Sequence, residues 1–249
     1  FLYRTSLTEF NTFDGVAKRD LLAELSAVCE ARGLGCFHYV PPYTARTDGT
    51  FRERNAGILR ELLTRYGPVA GVWFDGIAGF VKHPENYTDL SSQYALVRSL
   101  QPQVLVSFKE GATGEEDFVS PEHYLMPERV EWEDEDRRAC WRDHYTHWQK
   151  AHASRAGLMK HAMREICTTM QEAVWRDGRG EDCGWVNNEK ARHLSADEVW
   201  RLLTIARSQD ANLLMNVGLR GDGSIHPADE SALRDVGDRI RRGGFPAAG

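Results

Sequence analysis

The stretch GVWFDGIAGF, residues 71–80, runs an apolar segment into a bare carboxylate, Asp75, followed by Gly76. Burying an isolated carboxylate costs several kcal/mol unless it is paired or opens to water, so its place at the end of such a run needs a structural or a chemical reason. Other polar groups end apolar runs in the same way: His38 and Tyr39, Trp73 two residues before Asp75, Ser107 and Lys109, the segment EEDFVSPEHY with Asp117 and Glu122, and Asn216 after ANLLM. Two carboxylates, a cation, a His and a Trp on one predicted rim resemble a carbohydrate site, where an aromatic face meets the apolar side of a sugar and charged groups take its hydroxyls. Each member also has a plainer reading. Asp75 before Gly76 is equally a turn former, Glu122 after Pro121 suits a first helical turn, Trp73 and His38 suit a core, and Lys109 suits a solvated surface. Their joint occurrence at strand ends favours a site.

The elements that must position these groups alternate. Residues 17–32 place Leu21, Leu22, Leu25, Val28 and Cys29 on one helical face, with Gly33 as the stop, and GLGCFHYV follows as a strand. FRERNAGILRELLTRYG repeats the arrangement with Ile58, Leu59, Leu62, Leu63 and Tyr66, and the strand to Asp75 follows. A helix over 89–100 stops at Pro102 before VLVSFKEG. Further on, Ser195 and Glu198 form a capping box, ANLLMNVG reads as a strand, and Pro227 starts a helix carrying Leu233, Val236 and Ile240. Apolar strands alternating with amphipathic helices predict parallel strands covered by helices, in a doubly wound sheet or a (β/α) barrel. Residues 123–194 are less regular, and no Gly/Ser/Pro linker marks a second domain.

The 249 residues suffice for one barrel-sized domain. With 41 % apolar residues the chain reads as globular, and a net charge of −6 argues against nucleic acid or a membrane surface as partner. No apolar run has the length of a membrane span. The chain shows no signal peptide and starts FLYRTSLTEFN without Met, which leaves its localisation open. Five cysteines, Cys29, Cys36, Cys140, Cys167 and Cys183, are odd in number with no C-x-x-C pair, and read as core or surface thiols. The acidic run 128–138 reads as a solvated segment. His144, His147 and His152 match no ligand pattern, so no metal and no cofactor is expected.

Taken together, TSLTEFNTFDGVAKRDLLAELSAVCEARGLG, GVWFDG, DFVSPE and ANLLMNVGLRGDGSIHPADESALRDVGDRIRRGG resemble the catalytic domain of glycoside hydrolase family 29, the α-L-fucosidases. The resemblance covers most of the chain and is weakest over 123–194. It implies a single glycosidase domain over 1–249, a (β/α)8-like TIM barrel. The family's H-H-D-G-F segment precedes the part matching FLYRTSLTEFN, so the barrel is expected to be incomplete, its first strands missing and the C-terminal β-sandwich absent. It implies a retaining exo-α-L-fucosidase acting on fucosylated glycans or small fucosides, with Asp75 as nucleophile, Glu122 as acid/base and Glu165 as the competing acid/base. Trp73, His38, Tyr39 and Lys109 would bind the sugar. His38 stands where the family commonly has Tyr and Lys109 where it often has Arg. The resemblance allows a secreted or periplasmic protein. The alternatives are a vestigial fucose-binding domain, or a retaining glycosidase for another sugar. An incomplete barrel leaves an apolar flank, which a second copy of the chain is expected to cover.

Overall fold

The computed structural model describes residues 1–41, 50–76, 89–109, 111–120, 163–171, 174–176, 179–182 and 184–247, with backbone alone for 50–52, 174–176 and 179–182. The described residues fall into two compact units, one built from Phe1–Val119 and the other from Ser120 together with Met163 onward.

In the first unit, helix α1 (Leu21–Ala31) begins on Asp20, whose carboxylate accepts from the Ala23 N–H at 2.9 Å and from the Tyr66 hydroxyl at 2.9 Å. Strand β1 (Phe37–Val40), helix α2 (Thr50–Arg65), strand β2 (Gly71–Phe74), helix α3 (Leu90–Leu100), strand β3 (Leu105–Phe108) and the short β4 (Phe118–Val119) follow. Asp89 caps α3, and the helix closes ahead of Pro102 as the sequence predicts. The four strands pair in order β1-β2-β3-β4, all parallel, with Tyr39, Trp73 and Ser107 in register.

Alternation along the strands separates two faces. Val40, Val72, Phe74, Val106 and Phe108 meet Leu59, Leu63, Tyr94 and Val97 of the helices in a solvent-free core. The opposite face carries Phe37, Tyr39, Trp73 and Ser107. Position 71 shares this face as the register partner of Phe37, and it is glycine because a Cβ there would overlap the Phe37 ring, which also meets the edge of Phe118. The stripe predicted on α1 is only partly used. Leu22 packs against the core, whereas Leu25 and Val28 are more than half exposed, and no residue of α1 is fully buried.

In the second unit, β5 (Met163–Thr169) is followed by a hairpin of β6 (Val174–Arg176) and β7 (Arg179–Asp182). Helix α4 (Ala196–Ser208), strand β8 (Ala211–Asn216) and helix α5 (Pro227–Gly243) complete it. Strands β5 and β8 are parallel over six register pairs, from Arg164↔Ala211 to Thr169↔Asn216, with α4 as the crossover between them. The Ser195–Glu198 capping box and Pro227 in the first turn of α5 are both present. Ile166 and Met170 pack with Val199, Leu202, Ala206, Ala232 and Val236 in a second core.

Six parallel strands are thus present among the described residues, four in one unit and two in the other, short of the eight that close a (β/α)8 barrel. No helix among them is long and apolar enough to cross a membrane.

Candidate active site

The first unit answers the question raised by Asp75. Strand β2 ends at Phe74, and Asp75 takes the same side of the sheet as Trp73 by the two-residue period. Gly76 then adopts φ +98°, a conformation open to glycine, and its N–H donates to Asp75 Oδ1 at 2.6 Å. The Tyr39 hydroxyl, carried by neighbouring β1, donates to Asp75 Oδ2. From β3, the Lys109 ammonium lies 3.3 Å from Asp75 Oδ1. The carboxylate at the end of an apolar strand is therefore met by three donors from three strand ends, while its side chain keeps 26 % of its surface open.

The aromatic pair fixes the same corner. Tyr39 and Trp73 are register partners, and their rings stack with centroids 5.6 Å apart at 22°. Lys109 Nζ lies 4.8 Å from the centroid of the Trp73 ring, within cation–π reach, and Lys109 is 5 % exposed. Its backbone is left-handed, φ +46°, which is uncommon for a lysine and aims the side chain back over β2. Trp73 Nε1 and the Ser107 hydroxyl are buried on this side without hydrogen-bond partners. Chemically, this is a fixed, partly open carboxylate beside a cation and an aromatic surface.

His38 is not part of this cluster. It alternates to the helix-facing side with Val40 and Val72, is 4 % exposed, and its Nε2 has no partner. Burial pushes its pKa below the ordinary imidazole value, so it is neutral at neutral pH. Asp117 stands at the start of β4, where its Oδ2 accepts from the Val106 N–H at 2.7 Å and from Arg98 at 3.4 Å, a structural role. Glu122 lies outside the described residues, as do the charged run 128–138 and His144, His147 and His152.

The second unit places Glu165 third in β5, with both oxygens engaged. Oε1 accepts from the Ser120 hydroxyl at 2.7 Å and Oε2 from Asn212 Nδ2 at 2.8 Å. Asn216, ending β8, donates to the Trp185 carbonyl at 3.1 Å. Among the described residues no group of three or more His, Cys, Asp or Glu side chains could hold a metal ion.

One organising residue escapes sequence reasoning. Glu116 is buried, and its carboxylate gathers the N–H groups of Ala112, Thr113 and Gly114 at 2.8, 3.1 and 2.9 Å and the Tyr94 hydroxyl at 2.8 Å. It closes the loop between β3 and β4 from within, and together with burial it raises the Tyr94 phenol far above its ordinary value. The available signal was the run of small residues, GATG, directly before the acids.

Comparison with known proteins bears on both fold and family. Alpha-L-fucosidase isoenzyme 1 from Paenibacillus thiaminolyticus shares the fold with a TM-score of 0.66 and 22 % identity, covering 98 % of this chain and 57 % of that one. The α-L-fucosidase from Lactobacillus casei, solved in complex with α-L-fucose product, gives a TM-score of 0.64 and 20 % identity over 97 % of this chain and 72 % of its own. The incomplete (β/α)8-type barrel expected from the sequence is the fold these likenesses show. A putative alpha-L-fucosidase 1 of Oryza sativa subsp. japonica is 34 % identical over 92 residues, 35 % of this chain and 17 % of that protein. The chain thus matches just over half the length of the Paenibacillus enzyme and a smaller share of the rice protein. The Alpha-L-fucosidase family model matches residues 1–244, nearly the whole sequence, and the chain belongs to that family.

Proposed function

We propose that the chain is a retaining exo-α-L-fucosidase that removes terminal α-L-fucose from glycoconjugates, with Asp75 as nucleophile and Glu122 as acid/base. The observation that carries this reading is the Asp75 carboxylate, held at the end of β2 by Tyr39, Lys109 and Gly76 beside the Trp73 face. The fucose complex of the Lactobacillus casei relative supports the choice of sugar.

In the first step an Asp75 oxygen attacks the anomeric carbon while the glycosidic C–O bond breaks, and Glu122 gives its proton to the leaving oxygen. In the second, Glu122 takes a proton from water, whose oxygen displaces Asp75 from the sugar. Tyr39, exposed and stacked on the buried Trp73, offers a flat apolar wall to one face of fucose, and Lys109 and the Tyr39 hydroxyl hold Asp75 in line. Glu165, whose two oxygens already accept hydrogen bonds from Ser120 and Asn212, is assigned a structural part.

The test is nitrophenol release from an aryl α-L-fucoside by the wild type and by Asp75→Gly, with and without azide. Loss of activity with partial recovery as a fucosyl azide supports the nucleophile and the retaining route. Binding of fucose without any wild-type turnover would replace this reading with the vestigial binding domain, and turnover confined to another aryl glycoside would replace the sugar.

A second copy of the chain is assigned to the open flank. Strand β1 pairs on one side only among the described residues, and Phe37 within it is 44 % exposed. Sedimentation equilibrium should show a dimer or higher species, and a monodisperse monomer at micromolar concentration would remove this assignment.

A further inference from the structure

The sequence holds five Asp-Gly pairs, and three of them, at 14–15, 75–76 and 222–223, lie among the described residues. Such a pair carries its own chemistry, because a glycine nitrogen has no side chain beside it to shield it from the carboxyl carbon of the preceding aspartate. Local geometry decides whether the two atoms meet. At Asp14 they are engaged elsewhere: the Gly15 N–H donates to the Asn11 carbonyl at 2.9 Å, and Asp14 Oδ2 accepts from Asn11 Nδ2 at 2.8 Å. At Asp222 the Gly223 N–H donates to the Arg220 carbonyl at 2.8 Å, while Asp222 Oδ1 accepts from the Ser224 N–H at 2.9 Å and the Ser224 hydroxyl at 2.7 Å. At Asp75 the Gly76 N–H is aimed at the carboxylate of its own neighbour, 2.6 Å from Oδ1. Lys109 and Tyr39 hold that carboxylate from the adjoining strand ends and keep it turned toward the Gly76 nitrogen. Exposure ranks the three sites in the opposite order, since Asp14 and Asp222 are exposed and Asp75 is only partly so.

We propose that Asp75–Gly76 is a self-modification site, at which the folded chain forms a succinimide and from it isoaspartate, with water as the only co-reactant. In the first step the Gly76 nitrogen bonds to Asp75 Cγ, and its proton leaves with one protonated carboxyl oxygen as water. In the second, water adds to the ring. Opening at Cγ restores aspartate; opening at the backbone carbonyl leaves isoaspartate, with the main chain now running through Cβ and Cγ. One water is lost and one is gained, and nothing is oxidised or reduced. The fold supplies the approach of nitrogen to carboxyl that an unfolded chain must find among many conformations. Isoaspartate at 75 lengthens the main chain by one carbon just after β2 and carries its carboxylate on Cα, which shortens its reach toward Tyr39 and Lys109. The modification itself needs no catalysis by the chain; loss of turnover would follow from it only on the reading that Asp75 is the nucleophile.

The experiment incubates the native full chain, without substrate, in heavy-oxygen water at neutral pH, beside a portion unfolded in urea. Each passage through the succinimide leaves one heavy oxygen in the aspartate or isoaspartate formed, and peptide mapping locates it. Trypsin cleavage after Arg4, Lys18, Arg65, Lys82, Arg220 and Arg234 gives peptides 5–18, 66–82 and 221–234, each with a single Asp-Gly pair, and electron-transfer fragmentation separates isoaspartate from aspartate. In urea the three sites should take up label at similar rates. In the folded chain Asp75 should lead Asp14 and Asp222 by about tenfold or more. Folded-state labelling at Asp75 no faster than at Asp14 and Asp222 would overturn the proposal. So would label at Asp75 that appears only in urea. Hydrolysis of an aryl α-L-fucoside, followed in the same samples, should fall in step with isoaspartate at 75; full activity with isoaspartate present would remove Asp75 as nucleophile and leave the modification established by the map. The wild-type chain carries the whole comparison, so no variant has to fold.

Discussion

Replacing Lys109 by Met keeps the length and the apolar stem over Trp73 and removes only the charge facing Asp75. At the 3.3 Å separation of the ion pair, Coulomb attraction at an effective dielectric constant of about 20 is on the order of 5 kcal/mol. After desolvation, a charge-assisted hydrogen bond of this kind has a net worth of about 1.5–3 kcal/mol. The sign of its effect differs between the two chemical steps. On the proposed retaining mechanism, Asp75 is an uncharged ester in the glycosyl-enzyme and the ion pair is lost; in the second step the carboxylate departs and the pair is regained. With roughly half the charge developed in that transition state, Lys109 would accelerate hydrolysis of the intermediate by about 0.75–1.5 kcal/mol, or about four- to twelvefold. Lys109→Met should therefore accumulate the intermediate. An activated aryl α-L-fucoside should give a burst of nitrophenol at about one equivalent per site, followed by a steady state with kcat and KM both lowered. Folding stability should fall by about 1.5–3 kcal/mol, the net worth of the pair with the cost of burying the lysine already counted. An unchanged or higher kcat with no burst, in a variant of wild-type circular dichroism, would refute the assignment of Lys109 to Asp75 departure.

Glu165→Gln places an NH2 group opposite either the Ser120 hydroxyl or the Asn212 amide, so urea titration should show a loss of about 1–2 kcal/mol. Its residual activity should gain nothing from azide, whereas Glu122→Gln should be rescued by azide on activated fucosides; rescue of the Glu165 variant would make Glu165 the acid/base instead. Burial holds His38 neutral in the folded chain, so its contribution to stability is intact above the unfolded value near 6.5 and is lost as pH falls through its lower folded value. Denaturant midpoints measured from pH 7.5 to 5 should fall less steeply for His38→Gln than for the wild type, and equal slopes would remove His38 from the acid response. Gly71→Ala drives a Cβ into the Phe37 ring and should cost about 1–3 kcal/mol in a urea titration, with Gly71→Ala/Phe37→Leu recovering part of the loss.

Much of this architecture is legible in the sequence because local signals and burial agree. The Ser195–Glu198 box, Pro227, Asp89 and the stop before Pro102 mark helix ends that the structure keeps. The parity of Trp73 and Asp75 on one strand places them on one face before any coordinates are known. Parity within β1 was harder to orient, because Phe-His-Tyr-Val has an aromatic on each face. Only the pairing with β2 shows that Tyr39, and not His38, reaches Asp75. The α1 stripe predicted a buried helix, but amphipathic spacing says which face would be covered and not whether anything covers it. The β6–β7 hairpin carried a recognisable Asp-Gly signal at 177–178, overshadowed by the charge of its surroundings.

The left-handed backbone at Lys109 has a consequence for how this corner can change. A lysine held there stores about 1 kcal/mol of conformational strain, offset by the anchoring of its ammonium on Asp75 and Trp73. Glycine would relax that backbone but abolish an anchoring worth about 1.5–3 kcal/mol, more than the strain it removes. On the proposed mechanism, folding and turnover therefore both keep this turn from becoming glycine, and the backbone strain persists as the cost of a side chain that serves both.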